Sequence, residues 1–81
     1  MVGIVKEINI KKDMCAIQTD DGYTIIETFG DDIDEGDTIK WVSNEPLGHE
    51  KIKNITKNEI YEVYFQNHHV NESNLRKQLL Y

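Results

Sequence analysis

The 81-residue chain predicts an all-β fold, a small barrel of five or six strands with one short helix at its C-terminal end. Apolar and polar residues alternate along several short runs, the period of a strand with one buried face. Turn residues interrupt those runs at close intervals, at Lys12-Asp13, Asp20-Asp21-Gly22, Gly36-Asp37 and Asn44-Glu45-Pro46-Leu47-Gly48. Short strands joined this tightly bury a shared face by curling into a closed sheet.

The first strand is expected from about Val2 to Lys11, with Val2, Ile4, Ile8 and Ile10 on one parity and Val5 on the other. A parity that wavers over ten residues predicts a bend or bulge. Lys12-Asp13 turns the chain into Met14 to Thr19, where Met14 and Ala16 share one face and Cys15 and Ile17 the other. Asp20-Asp21-Gly22 closes a hairpin, because glycine readily takes positive φ. Tyr23 to Phe29 is apolar on both sides near its middle and is expected to be central. Gly30 to Asp37 is too acidic to be buried and reads as a connection that Ile33 pins to the core. Thr38 to Ser43 resumes the alternation with Ile39 and Trp41, and Pro46 sits where no strand continues. Lys51 to Thr56 and Ile60 to Gln66 are two further strands joined at Lys57-Asn58, with Tyr61, Val63 and Phe65 facing one way and Ile60, Glu62 and Tyr64 the other.

Asn67-His68-His69 is expected to end the last strand. Asn71 then caps a helix through Glu72 to Leu80, with Leu75 and Leu79 on its apolar face. So short a helix does not hold alone, so residues 71–81 dock on the barrel of residues 1–70 or on a partner. The expected core is Ile4, Val5, Ile8, Ile17, Ile25, Ile39, Trp41, Val63 and Phe65.

Hydrophobic residues make up 38% of the chain and charged residues 30%, the balance of a folded soluble domain. A chain this short buries only roughly 60% of its unfolded surface, which argues against a spacious active-site cavity. The single cysteine, Cys15, forms no internal disulfide, which favours a reducing cytoplasm. Met1 to Glu7 carries a charge pair where a signal peptide runs apolar, and no stretch is long enough to span a membrane. The Asn54-Ile55-Thr56 tripeptide matches a glycosylation acceptor but reads as strand residues in a chain that is not exported.

The net charge of −6 is unevenly spread. No Lys or Arg lies between Lys12 and Lys40, an interval with Asp13, Asp20, Asp21, Glu27, Asp31, Asp32, Asp34, Glu35 and Asp37; from Lys51 onward the balance reverses. The acidic segment Asp31 to Asp37 is dense enough to attract calcium, yet no Glu closes it as an EF-hand loop requires, and it reads as a solvated loop. His68 and His69 are adjacent, so on a regular strand they point to opposite sides. His49 and Cys15 are distant from them, and no metal-ligand spacing results. Cys15 lies among apolar neighbours, the setting of an inert thiol. With no phosphate-binding glycine loop either, the reading is no catalytic residue, no cofactor, no metal and no enzyme activity.

Gly3-Ile4-Val5, Ile8, Ala16-Ile17, Asp21-Gly22 and Gly36-Asp37-Thr38-Ile39 together resemble the pattern of small OB-fold barrels of the S1 and cold-shock type, over the first half of the chain. The resemblance implies an OB-like topology more than an SH3-like one. It also implies single-stranded nucleic acid on the face of strands two and three, held by stacked aromatics and a basic groove. Lys6, Lys11, Lys12 and Tyr23 are the candidate contacts. Where a cold-shock domain has its Gly-Phe-Gly-Phe strand, however, this chain has Asp13-Met14-Cys15-Ala16-Ile17, and eight lysines with one arginine in a net-acidic chain suit a polyanion poorly.

The residues therefore favour a non-catalytic binding or adaptor module that engages a protein partner in the cytoplasm. Its candidate contacts are Asp31, Asp32, Asp34 and Glu35, which suit a basic surface, and Leu79, Leu80 and Tyr81 at the chain end. The alternatives are a single-strand nucleic-acid binder and a small structural subunit in which Leu79, Leu80 and Tyr81 complete a homo-oligomer.

Overall fold

The computed structural model describes residues 1–81 and contains six strands: β1 (Val2–Asn9), β2 (Met14–Thr19), β3 (Gly22–Glu27), β4 (Thr38–Lys40), β5 (Gly48–Asn54) and β6 (Glu59–Val70). Every pairing is antiparallel, in the order β1-β2-β3-β6-β5-β4, and β4 pairs back onto β1 to close the barrel. This closed six-stranded sheet is consistent with the OB-like expectation. Closure removes the two free edge strands of an open sheet, although Gly48–Ile52 of β5 and Glu59–Val63 of β6 pair on one side only. Residues 28–37 form the one connection that joins strands not adjacent in the sheet, because β3 and β4 are separated by β6 and β5.

Alternation sorts the apolar residues into two clusters. Val5, Cys15, Ile17, Ile26, Ile33, Ile39, Trp41, Ile52, Val63 and Phe65 fill the barrel interior. Met14, Ala16, Tyr23, Ile25 and Val70 form the second cluster with Leu75 and Leu79 of the C-terminal segment. β2 and β3 are thus buried on both faces, the inner one by the barrel and the outer one by the chain end. Ile33 is buried in the interior and anchors the acidic connection, as its position anticipates. No helix of the chain is long and apolar enough to cross a membrane.

Several expectations are corrected. Ile4 points outward and is 52% exposed, while Gly3 and Val5 face inward. A side chain at Gly3 would place its Cβ 2.5 Å from the Gln18 carbonyl oxygen and 2.6 Å from Ile17 Cγ2, so β1 crosses β2 too closely there for any residue but glycine. A bulge between Val5 and Glu7 supplies the anticipated change of parity, and Ile8 is only partly buried. Ile25, expected in the barrel core, belongs instead to the second cluster. Ile10 to Lys12 forms a 3₁₀ turn, with Asp13 left-handed at φ 54°, so β1 ends at Asn9.

Asn67-His68-His69 does not terminate β6, which continues to Val70. Opposite β3, Tyr23 pairs with Val70 and Ile25 with Asn67, so two steps on β3 match three on β6 and the extra residue forms a bulge. His69 takes φ 56° there. The helix is shorter than its apolar spacing suggests, a 3₁₀ turn over Glu72–Asn74 followed by α1 (Leu75–Gln78). Asn71 does cap it, its side chain accepting from the Asn74 amide at 3.1 Å.

Candidate functional site

The sequence-derived candidates fall into three places. The first is the 28–37 connection. Lys57 Nζ lies 3.1 Å from Asp32 Oδ1, 2.6 Å from Asp34 Oδ2 and 3.1 Å from Asp37 Oδ2, so the loop's carboxylates converge on a cation belonging to the chain itself. Asp37 is buried and also accepts from Asn54 Nδ2 at 2.8 Å and from the Asp34 amide at 2.9 Å. Burial pushes its pKa up, but these donors together outweigh burial and hold the carboxyl below its ordinary value. Lys57 is held above its ordinary value, chiefly by its hydrogen bond to Asp34. Asp31 accepts from the Phe29 amide, and Glu35 is exposed. The segment is a structural clamp on Lys57 that stays net negative, with Asp32, Asp34 and Glu35 still reaching solvent.

The second place is the chain end. Leu79 is buried against β2 and β3, and its carbonyl accepts from the buried Asn9 Nδ2 at 2.8 Å. Leu80 and Tyr81 are exposed; the Tyr81 hydroxyl donates to the Ile8 carbonyl at 2.9 Å, and the Arg76 guanidinium lies 4.3 Å from its ring centroid. Residues 71–81 therefore cover the outer face of β2 and β3. Tyr23, a candidate for stacking a base, is buried beneath them, while Lys6, Lys11 and Lys12 are exposed.

The third place is the β6 bulge. It brings His68 and His69 to one side, with ring centroids 6.4 Å apart, where an alternating strand would separate them. Both line a cavity of about 280 Å³ with Thr24, Asn44 and Glu45. The His68 ring sits between the Thr24 hydroxyl at 3.1 Å and the Pro46 carbonyl at 2.6 Å and stacks on Phe65. His69 Nε2 contacts Glu45 Oε1 at 2.5 Å. The pair ties the 41–47 loop to the end of β6. No group of three or more His, Cys, Asp or Glu side chains is placed to hold a metal ion. Cys15 is buried in the barrel, where desolvation pushes its thiol up to about 12.

The Glu45 hydrogen bond raises the His69 pKa above its ordinary 6.5. A group raised on folding adds stability that is fully present below its unfolded value and lost as pH rises through its folded one. The hold of His69 on the 41–47 loop is therefore expected to loosen as pH rises through its raised midpoint, above 6.5. An NMR titration of the His69 ring checks this: Glu45→Gln should return its midpoint toward 6.5, and an unchanged midpoint would separate His69 from Glu45.

Sequence reasoning missed the outer face of β1, β4, β5 and β6. Val2 pairs with Lys40, Lys40 with Lys53 and Lys53 with Ile60, a row of four exposed side chains across four strands. Ile4 opposite Thr38, Lys51 opposite Glu62 and Val42 beyond β4 extend it. Val42 is 96% exposed and Ile60 66%. Farther along, Phe29 stacks on His49 at 5.8 Å, and Tyr64 meets His49 edge-on at 5.0 Å. Carboxylates ring that trio: Glu27 pairs with Tyr64, Glu62 lies 3.9 Å from His49, and Asp31 holds the Phe29 amide. The signal was present in the off-parity Ile60 and Tyr64 and in the His49, Lys51, Lys53 alternation, but only the register across β1, β4, β5 and β6 assembles it. No protein-family model, curated protein or solved structure matches this chain.

Proposed function

We propose that this chain is a non-catalytic binding module that engages a protein partner through the outer face of β1, β4, β5 and β6. One observation carries the reading: Val2, Ile4, Val42 and Ile60 are each more than half exposed on one face. Apolar residues scattered singly are ordinary on a surface, whereas several gathered on one sheet face, here interleaved with Lys40 and Lys53, favour an interaction site. The same face bears Lys40, Lys51 and Lys53 against Glu62 in a molecule of net charge −6, so its partner is acidic where it lands.

Single-stranded nucleic acid is the weaker reading for two physical reasons. The outer face of β2 and β3, where S1 and cold-shock barrels bind, lies beneath Leu75 and Leu79. The exposed aromatics Phe29, His49 and Tyr64 lie among carboxylates that repel a phosphate backbone.

A photoreactive residue at Ile60, compared with one at Ser73 behind the barrel, tests the proposal in nuclease-treated lysate of the cells that express the protein. The expected result is one protein crosslinked from Ile60 alone, its yield falling at least about tenfold with Lys40→Glu and Lys53→Glu, since about 1.4 kcal/mol of lost contact suffices. Equal crosslinking from both positions, or recovery that nuclease removes, would overturn it.

A further inference from the structure

Beside Ile60 the outer face is grooved. A depression of about 300 Å³ between β4, β5 and β6 exposes the apolar side chains of Val42 and Ile60, with Trp41 and Ile52 buried at its floor and Lys40, Lys51 and Lys53 around it. None of the three lysines has a carboxylate within 4.0 Å, because the ion pairs of the chain involve only Lys57, Arg76, His49 and His69. Lys40 and Lys53 stand directly opposite each other in the ladder. Like charges in that arrangement destabilise a sheet, and an anion between them reverses the sign. Beneath the groove lies Trp41, whose buried Nε1–H has no acceptor in the protein, an uncommon state for an interior donor.

We propose that this groove takes an acidic segment of the partner carrying an aliphatic anchor, with the anchor against Val42 and Ile60 and its flanking carboxylates at Lys40, Lys51 and Lys53. The inference rests on the protein-binding reading above and names the chemistry of its occupant. Lysine stems lie along apolar surface while their ammonium groups stay in water, so the walls are apolar and the rim is charged. That profile matches a leucine-like side chain between acidic neighbours. A nucleobase matches it less well, because its polar edge would enter an apolar groove with few partners and lose its hydrogen bonds to water.

The chain contains one tryptophan, so the Trp41 indole N–H gives a single, unambiguous NMR signal. The intact protein is titrated with a capped peptide of sequence Asp-Glu-Leu-Asp-Glu-Leu-Asp, with versions carrying Lys for the acids or Ser for the leucines, and with a short oligothymidylate. The expected result is that the acidic leucine peptide alone moves the Trp41 indole and the amides of Lys51, Ile52, Lys53 and Ile60. Lys51→Gln with Lys53→Gln should weaken it at least tenfold, about 1.4 kcal/mol, while leaving the spectrum of the free protein otherwise unchanged. An unmoved indole, equal binding of the serine version, or a stronger response to oligothymidylate would each overturn the inference. Failure here with Ile60 crosslinking intact would refute the groove occupant alone; loss of that crosslink would refute the protein-binding reading itself.

Discussion

Phe65→Ala is expected to destabilise the barrel by about 3–5 kcal/mol, the cost of removing a buried aromatic and leaving a cavity. Phe65 is 1% exposed, meets Trp41 edge-on at 5.4 Å and stacks on His68 at 5.7 Å. Its loss therefore removes the contact between the two largest rings of the interior cluster and frees His68 beside the bulge. Small domains have about 5–15 kcal/mol in total, so the variant should be partly unfolded near physiological temperature. Urea unfolding followed by far-ultraviolet circular dichroism should show a lower midpoint at unchanged slope. A loss below about 1 kcal/mol would mean that neighbours collapse into the space, contrary to the close packing of so small a barrel.

Leu79→Ala is expected to cost about 2–5 kcal/mol, although the residue lies two positions before Tyr81. Leu79 is fully buried among Met14, Ala16, Tyr23, Ile25, Val70 and Leu75. The segment's backbone bonds, including Asn9 Nδ2 to the Leu79 carbonyl, do not depend on the leucine side chain, so the variant isolates its packing contribution. A chain ending at Val70 is a stronger perturbation. It would expose Tyr23, Ile25 and Met14 together, and an apolar patch of that kind drives self-association. Sedimentation at micromolar concentration should then show mass above one chain. If it remains monomeric with unchanged stability, residues 71–81 are not the lid that the second cluster implies.

The legible parts of this fold share one physical origin. Alternation places side chains on two faces with a period of two, so the inward parity of β6, the double burial of β3 and the cap at Asn71 were readable without a structure. The errors occur where a single residue changes the register. Ile4 looks like core because it is apolar, yet the inward parity of β1 belongs to Gly3, whose lack of a side chain is what β2 requires. His68 and His69 look like the end of a strand because they are polar, yet one extra residue lets β6 run on and turns both rings to the same cavity.

The candidate site was less legible than the fold. The acidic segment Asp31 to Asp37 stands out in the sequence, but nothing in its spacing points to Lys57 as the cation at its centre. Lys40, Lys51, Lys53, Val42 and Ile60 are unremarkable one by one, and they become a face only through the β1·β4, β4·β5 and β5·β6 pairings.

The sequence by itself determined that the chain forms a small all-β barrel, which residues lie inward along β2, β4 and β6, and that a short capped helix follows. Local propensity, alternation and turn chemistry act over a few residues and leave their mark in the order of the letters. The tertiary structure alone decided that β4 closes on β1, that the chain end covers β2 and β3, that Lys57 sits among the carboxylates of the acidic loop, and that lysines and aliphatic side chains meet on one outer face. Those outcomes depend on contacts between residues far apart in the chain, and their partners are selected by the geometry of closure, which periodicity does not encode.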